Sequence, residues 1–367
     1  MPFQRSRQRG QRLPLAAMLL CCAMLAAACS EEPAGASVPI ARYGLATVPG
    51  SVLAGTPARQ PLERLTREPC DIEAASALSR ALAEAGYRRE AAGLRLAFAG
   101  NCPRGRDLLP GAIPLLQAIG DNAGALQVAE RLVASDPDHP QWRFLRAEAL
   151  RESGKPAEAL DDYLAVLSLV PDLSRVSSAV FLGAAEARAG TGKPCEAGAL
   201  VRMWIGGDPG RRDTPRARAL VERYQRQGAC QPAKASAAQT FARPRNGLIV
   251  ARATVNGREG RFIVDTGASF VALSEDFARR AGIPLAQARR IRVQTANGPA
   301  GALLSEAATV TLGTAQAAAV PTAVMSGGGA ALGPDIDGLL GQSFLSQFEV
   351  SFRPDRWTIG PLQAAGR

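Results

Sequence analysis

One acid stands out as a candidate for chemistry. Phe262-Ile263-Val264 is an apolar run, and Asp265-Thr266-Gly267-Ala268-Ser269 follows it directly. Such a run closed by an acid and a glycine predicts a strand that delivers a carboxylate to a tight turn. Gly267 has no Cβ, so its backbone N–H can approach that carboxylate. A second apolar pair with glycine, Leu339-Leu340-Gly341, ends 76 residues further on (341 − 265), placed as if to pack beneath the turn. A carboxylate held in this way suits acid–base work on water. The chain has one such acid, so an acid pair needs two copies of it. Two carboxylates about 3 Å apart cannot both ionise and would share one proton. Asp335 and Asp337 precede the Leu-Leu-Gly element, but neither is followed by Thr-Gly. They read as loop or capping acids.

Other chemistries lack their residues. His139 is the only histidine and no Gly-x-Ser-x-Gly occurs, which leaves a Ser-His-Asp hydrolase little to work with. Gly190-Thr191-Gly192-Lys193 imitates a phosphate loop, but Pro194 stands where the hydroxyl residue is needed. Nothing points to a metal or a cofactor. The formal charge of +10 falls to +6 once the four arginines at 5, 7, 9 and 12 are set aside. The remaining arginines are scattered and often stand beside acids, without stacking aromatics, which argues against nucleic acid as a partner.

The elements ahead of the acid are helical and repeated. Gly86, Gly120 and Gly154 are 34 residues apart, as are Leu82, Leu116 and Leu150, Ala91, Ala125 and Ala159, and Pro103, Pro137 and Pro171. A fourth copy follows a 4-residue insertion, with Gly192, Ala197 and Pro209. The period predicts two helices per unit: glycine turns between them, alanine lets them approach closely, and proline stops the second. This resembles the tetratricopeptide repeat, and the stretch from Trp142 to Pro171 with Tyr163 matches it best. The resemblance implies a protein partner or substrate on the repeats. On the residues alone they could equally be a rigid spacer.

After residue 246 the pattern turns strand-like. Leu248–Val255, Gly260–Asp265, Ile291–Thr295, Ala308–Leu312, Ala317–Met325, Phe348–Phe352 and Trp357–Ile359 read as strands, with turns at Asn256-Gly257 and Asn297-Gly298. Ser274 starts a short helix that Gly282 and Pro284 stop, and a glycine-rich loop spans 327–333. A late helix covers Gln342–Gln347. Many short strands with one late helix predict a small β-barrel.

The first 28 residues read as an export signal, basic and then apolar from Leu13 to Ala28. Leu25-Ala26-Ala27-Ala28-Cys29 resembles a bacterial lipobox, which implies lipidation of Cys29, membrane attachment through that lipid anchor and a periplasmic protein. By the same resemblance Ser30 directs it to the outer membrane. Plain cleavage after Ala28 is the other reading. Cys70, Cys102, Cys195 and Cys230 are spaced by 32 and 35 residues, each the length of one helical hairpin. In an exported protein this predicts Cys70–Cys102 and Cys195–Cys230 disulfides. The expected organisation is a signal over 1–28, a flexible tether over 29–66, helical repeats over 67–232, a linker over 233–246 and the barrel over 247–363.

The last third, on Asp265-Thr266-Gly267-Ala268-Ser269, Leu339-Leu340-Gly341 and Gln342-Ser343-Phe344-Leu345, resembles a retropepsin-type aspartic protease, the single-lobe kind that acts as a homodimer. The resemblance implies an aspartic endopeptidase without a cofactor, acting on a peptide or protein substrate. Asp265 of each copy would activate water, Thr266 would cross the interface to lock the two turns, and Ser269 would hydrogen-bond near the outer carboxylate oxygen. Ala296-Asn297-Gly298 would be the flap over the substrate. On its residues alone that segment is an Asn-Gly turn. The alternative to an enzyme is an envelope scaffold that acts through its repeats, with a silent protease fold. A further expectation is self-cleavage within residues 231–246.

Overall fold

The computed structural model describes residues 37–228, 230–231, 233–244, 247–286, 288–326, 332–333 and 335–362. The signal segment, Cys29 with its lipidation, tether residues 30–36 and most of the glycine-rich loop lie outside the described residues. An all-α helical repeat region precedes an all-β barrel, as the periodicities predict.

Three short helices come first: α1 (Ser37–Arg42), α2 (Gly50–Leu53) and α3 (Thr56–Arg67). They correct the expectation of a flexible tether. Tyr43, Leu45 and Leu65 are buried in one core with Leu78, Leu82 and Phe98 of the first repeat. Proline misleads here, because Pro57 sits in the first turn of α3, where its missing N–H costs nothing. The apolar face of a terminal repeat needs a cover, and these helices supply it.

The repeats are helix pairs: α4 (Ile72–Glu84) with α5 (Arg88–Asn101), α6 (Ala112–Ala118) with α7 (Asn122–Ser135), α8 (Pro140–Glu152) with α9 (Pro156–Leu169), and α10 (Ser178–Gly190) with α11 (Pro194–Gly207). A short α12 (Pro209–Arg212) and α13 (Pro215–Gly228) finish the array. The turn glycines Gly86, Gly120, Gly154 and Gly192 all have positive φ, between 73° and 95°. That conformation is cheap only without a Cβ. Ala91, Ala125, Ala159 and Ala197 are fully buried where helices cross. Asp71 and Asp121 cap α4 and α7 by accepting from Ala74 and Gly124 N–H, both at 2.9 Å. Cys70 pairs with Cys102 and Cys195 with Cys230, at Cα separations of 5.4 and 5.3 Å. The first bridge joins the ends of the α4–α5 hairpin, and the second ties the start of α11 to the chain just after α13.

The barrel contains β1 (Gln239–Ala242), β2 (Val250–Val255), β3 (Arg258–Val264), β4 (Val271–Ser274), α14 (Glu275–Arg280), β5 (Arg289–Thr295), β6 (Gly298–Leu312), β7 (Ala315–Met325), β8 (Gly338–Leu340), α15 (Gln342–Leu345), β9 (Glu349–Phe352) and β10 (Arg356–Gly360). Seven strands run in the order β2-β3-β8-β4-β7-β6-β5, and a further β2–β6 pairing closes the sheet on itself. Phe262, Phe277, Phe344 and Trp357 fill the interior. A second sheet, β1-β10-β9, stands beside it.

Strand β1 corrects the expected linker. Phe241 stacks on Trp357 with ring centroids 4.7 Å apart, and the stretch from Gln239 to Ala242 pairs with β10. Residues 233–244 therefore belong in part to the barrel. Strands β4 and β8 are additions to the expected set. Both are short, and β4, buried at all four residues, shows no alternation to read.

Repeats and barrel share a core. Tyr163, Leu164 and Leu167 of α9 pack with Phe270, Leu304, Ala323 and Met325 of the barrel. A carboxyl pair lies in the same junction. Glu196 of α11, 5% exposed, is held by Arg188 Nε at 2.6 Å and Lys193 Nζ at 2.9 Å. Glu306 of β6 sits beside it, and burial together with the Glu196 carboxylate pushes its pKa up to about 7.

Candidate active site

Asp265 stands on the turn between β3 and β4. Strand β8 threads between these two, parallel to β3 with Val264 opposite Leu340, and antiparallel to β4 with Ala272 opposite Leu339. Leu339-Leu340-Gly341 thus lies between the strands that enter and leave the turn, and Asp265 N–H donates to Leu340 O at 3.1 Å. A Cβ on Gly341 would collide with the carbonyl oxygens of Phe270 and Ala268. Glycine is required there for close approach of backbones rather than for its torsions, since its φ is −98°.

Gly267 N–H donates to Asp265 Oδ1 at 2.9 Å, so the turn orients its own carboxylate. Asp265 is half-buried, while Thr266 and Gly267 are exposed. Helix α15 clamps the turn from below. Gln342 N–H donates to Ala268 O at 2.8 Å and Ser343 N–H to Ser269 O at 2.9 Å. Gln342 Nε2 donates to Thr266 O at 2.9 Å. Ser343 is fully buried; its Oγ accepts from Val271 N–H at 2.8 Å and donates to Pro321 O at 2.7 Å. These positioning roles of Gln342 and Ser343 emerge only in the folded chain. Two polar residues directly after Gly341 are the sole hint of them in the sequence.

Ser269 departs from its expected role. Its hydroxyl donates to the Leu167 carbonyl of α9 at 2.6 Å, across the junction, instead of serving the carboxylate. The last turn of α9 leaves carbonyls without helical partners, and Ser269 satisfies one of them.

Ala296 and Asn297 form the exposed two-residue tip between β5 and β6, with Thr295 paired to Gly298. Thr295 Oγ1 donates to Gly298 O at 2.7 Å and pins the tip. The hairpin is tied to the repeats at its base. Ser168 Oγ donates to Arg292 O at 2.8 Å, Arg292 pairs with Asp138 at 2.7 Å, and Arg289 pairs with Asp161.

Asp335 and Asp337 do not join Asp265. Asp337 accepts from Arg261 N–H at 2.9 Å and from Arg280 at 3.0 Å, and Asp335 lies 4.0 Å from Arg261. Among the described residues, no group of three or more His, Cys, Asp or Glu could hold a metal. None of the described helices is long and apolar enough to cross a membrane.

Residues 251–344 match the aspartyl protease family, and residues 112–174 match the tetratricopeptide repeat family. A solved retropepsin-like aspartic protease from Rickettsia conorii is 30% identical, over 33% of this chain and 97% of its own, with a TM-score of 0.28. MamA from Desulfovibrio magneticus RS-1 is 15% identical, over 48% of this chain and 97% of its own, with a TM-score of 0.37. A thermophilic tetratricopeptide repeat protein from Thermus thermophilus is 20% identical, over 53% of this chain and 98% of its own, with a TM-score of 0.33. No curated protein matches the chain.

Proposed function

The chain belongs, through its C-terminal domain, to the retropepsin-like aspartyl proteases, and from that premise we propose that it is an exported aspartic endopeptidase active as a homodimer. The observation that carries this reading is the turn itself. It offers one oriented carboxylate per chain, with Thr266 and Gly267 open to a partner and the other nearby acids engaged by arginines.

At the two-fold axis, the Asp265 carboxylates of two copies would share a proton and titrate as a unit. The ionised one takes a proton from water, which attacks the scissile carbonyl. The protonated one polarises that carbonyl and helps the amide nitrogen leave. Thr266 of each copy crosses to the other turn. The peptide binds extended beneath the Ala296-Asn297-Gly298 hairpins, with Ala268 and Ser269 at the edge of its path. The basic start, the apolar run and Cys29 support export and a lipid anchor at the outer membrane. The repeats bring a protein partner or substrate to the barrel. Self-cleavage within 231–246 would require β1 to unpair from β10 at Gln239–Ala242.

Cleavage of a peptide library by the mature protein tests the proposal. Asp265→Asn is expected to lower kcat/KM by about 10²–10⁴-fold. Activity in dilute solution should rise with the square of protein concentration. A first-order dependence from a strictly monomeric protein would sink the dimer, and an Asp265→Asn protein that cuts normally would sink the mechanism.

A further inference from the structure

A cavity of about 380 Å³ opens between the repeats and the first strand of the hairpin. Its charged lining comes from both domains: Arg143 and Arg146 of α8, and Arg289, Arg290 and Arg292 of β5. Asp138 and Asp161 also line it, and the fully buried Asp162 stands behind, bonded to Arg143 at 2.8 Å and to Arg146 at 2.5 Å. Five arginines against three carboxylates leave two positive charges. Arg290 is exposed and has no carboxylate within ion-pair distance among the described residues. The Arg292–Asp138 and Arg289–Asp161 pairs are about half exposed and so exchangeable at low cost. Leu164, Ile291 and Leu304 give the cavity an apolar floor.

Backbone geometry adds a second signal. Strand β5 is the edge of the seven-stranded sheet. The Arg292 carbonyl accepts from Ser168 rather than from β6. Its cross-strand partner Gly301 likewise turns its carbonyl away from β5, accepting from Ser326 N–H at 3.0 Å. Position 292 is therefore a non-hydrogen-bonded pair, and in an antiparallel ladder the N–H and C=O two residues earlier face the same way. Arg290 thus offers an outward main-chain donor and acceptor as well as its guanidinium. A small anion would use only the charge, whereas an extended peptide uses both.

We propose that this cavity is an exosite for an acidic peptide segment, a stretch bearing Asp or Glu side chains that flanks the bond to be cut. The segment lies along β5 in strand fashion, with its carboxylates on Arg290 and its neighbours. The proposal rests on the endopeptidase reading and names the substrate class for that site.

Direct binding tests it without turnover. Full-length mature Asp265→Asn protein is titrated against a fluorescein-labelled octapeptide alternating Glu and Val, and against its Gln counterpart, by fluorescence anisotropy. The Glu peptide should bind about tenfold more tightly, the equivalent of one charge-assisted contact. Arg290→Glu should abolish that preference, and Arg290→Lys should restore most of it. Equal affinity for the two peptides, an unaltered preference in Arg290→Glu, or full competition by free succinate at equal carboxylate concentration would each overturn the exosite. A second arm uses the active protein on two substrates that differ only in an acidic or a neutral flank. The acidic flank should lower KM at similar kcat, and Arg290→Glu should bring the two KM values together. If peptides bind with the expected preference yet the wild type cuts neither substrate, the protease reading fails and the groove stands. If both are cut with equal KM and bound equally, the groove fails and the protease stands.

Discussion

The repeats and the barrel both close backbone bonds onto a leucine carbonyl near a glycine, but across very different lengths of chain. In the repeats, Tyr87 N–H reaches Leu82 O at 2.8 Å, Asp121 reaches Leu116 at 2.9 Å, and Lys155 reaches Leu150 at 2.9 Å. Every one of these bonds closes within a single turn of chain. In the barrel, Asp265 N–H reaches Leu340 O, and Gln342 reaches back to Thr266, 76 residues away. Bond lengths are alike in the two regions. What differs is the loop that must close before each bond can form. Local bonds make each repeat a unit that depends only on its neighbours, whereas the catalytic turn depends on the whole barrel at once.

That contrast can be broken at Gly341. Replacing it by valine drives a Cβ into two backbone carbonyls, so Gly341→Val should cost the barrel more than about 3 kcal/mol. Denaturant unfolding followed by far-UV circular dichroism should show the helical signal surviving the loss of the barrel. A single joint transition would mean that the shared core, not local bonding, governs the repeats. On the other side, Cys195→Ser with Cys230→Ser releases a long loop and should cost about 3–4 kcal/mol. Its effect should fall on the end of the array, read by hydrogen exchange of α11 and α13, and leave strand β8 protected.

The junction is where the two modes meet, and smaller effects are expected there. Ser269→Ala leaves a carbonyl of α9 without its donor and should cost about 1 kcal/mol. The loss should appear as faster exchange in both the catalytic turn and the end of α9. Glu306 gives the smallest and most tunable effect. Its folded pKa, about 7, lies above the ordinary value of 4.5, so the folded protein holds this proton more tightly than the unfolded chain does. The contribution is therefore complete below about 4.5 and is lost as pH rises through about 7. The groups facing it are Glu196, Lys193 and Arg188, and partial exposure screens the interaction. Tm should fall between about pH 5 and pH 8, and Glu306→Gln should flatten that slope. An identical slope in the variant would show that Glu306 does not set the pH response of the junction.

Much of this was legible before folding because it follows from spacing. The helix pairs, the turn glycines, the two cysteine pairs and the strand leading to Asp265 all rest on contacts within about one hairpin, and periodicity records such contacts directly. Residues 37–66 read as a tether because they are rich in alanine, proline and glycine, while the core they enter belongs to another segment. Strands β4 and β8 escaped because both are short and fully buried β4 lacks alternation.

What sequence alone settled is the chemical type of the turn: an acid, a hydroxyl residue and a glycine after an apolar strand permit few uses. What folding decided is who surrounds that turn. Leu340 beneath Asp265, Ser343 beneath Val271, and Leu167 of a repeat helix against Ser269 are partners brought from 72 to 102 residues away. No local pattern encodes such pairings. They exist because burying the faces of β8 and α9 against the barrel leaves those backbone groups only these partners.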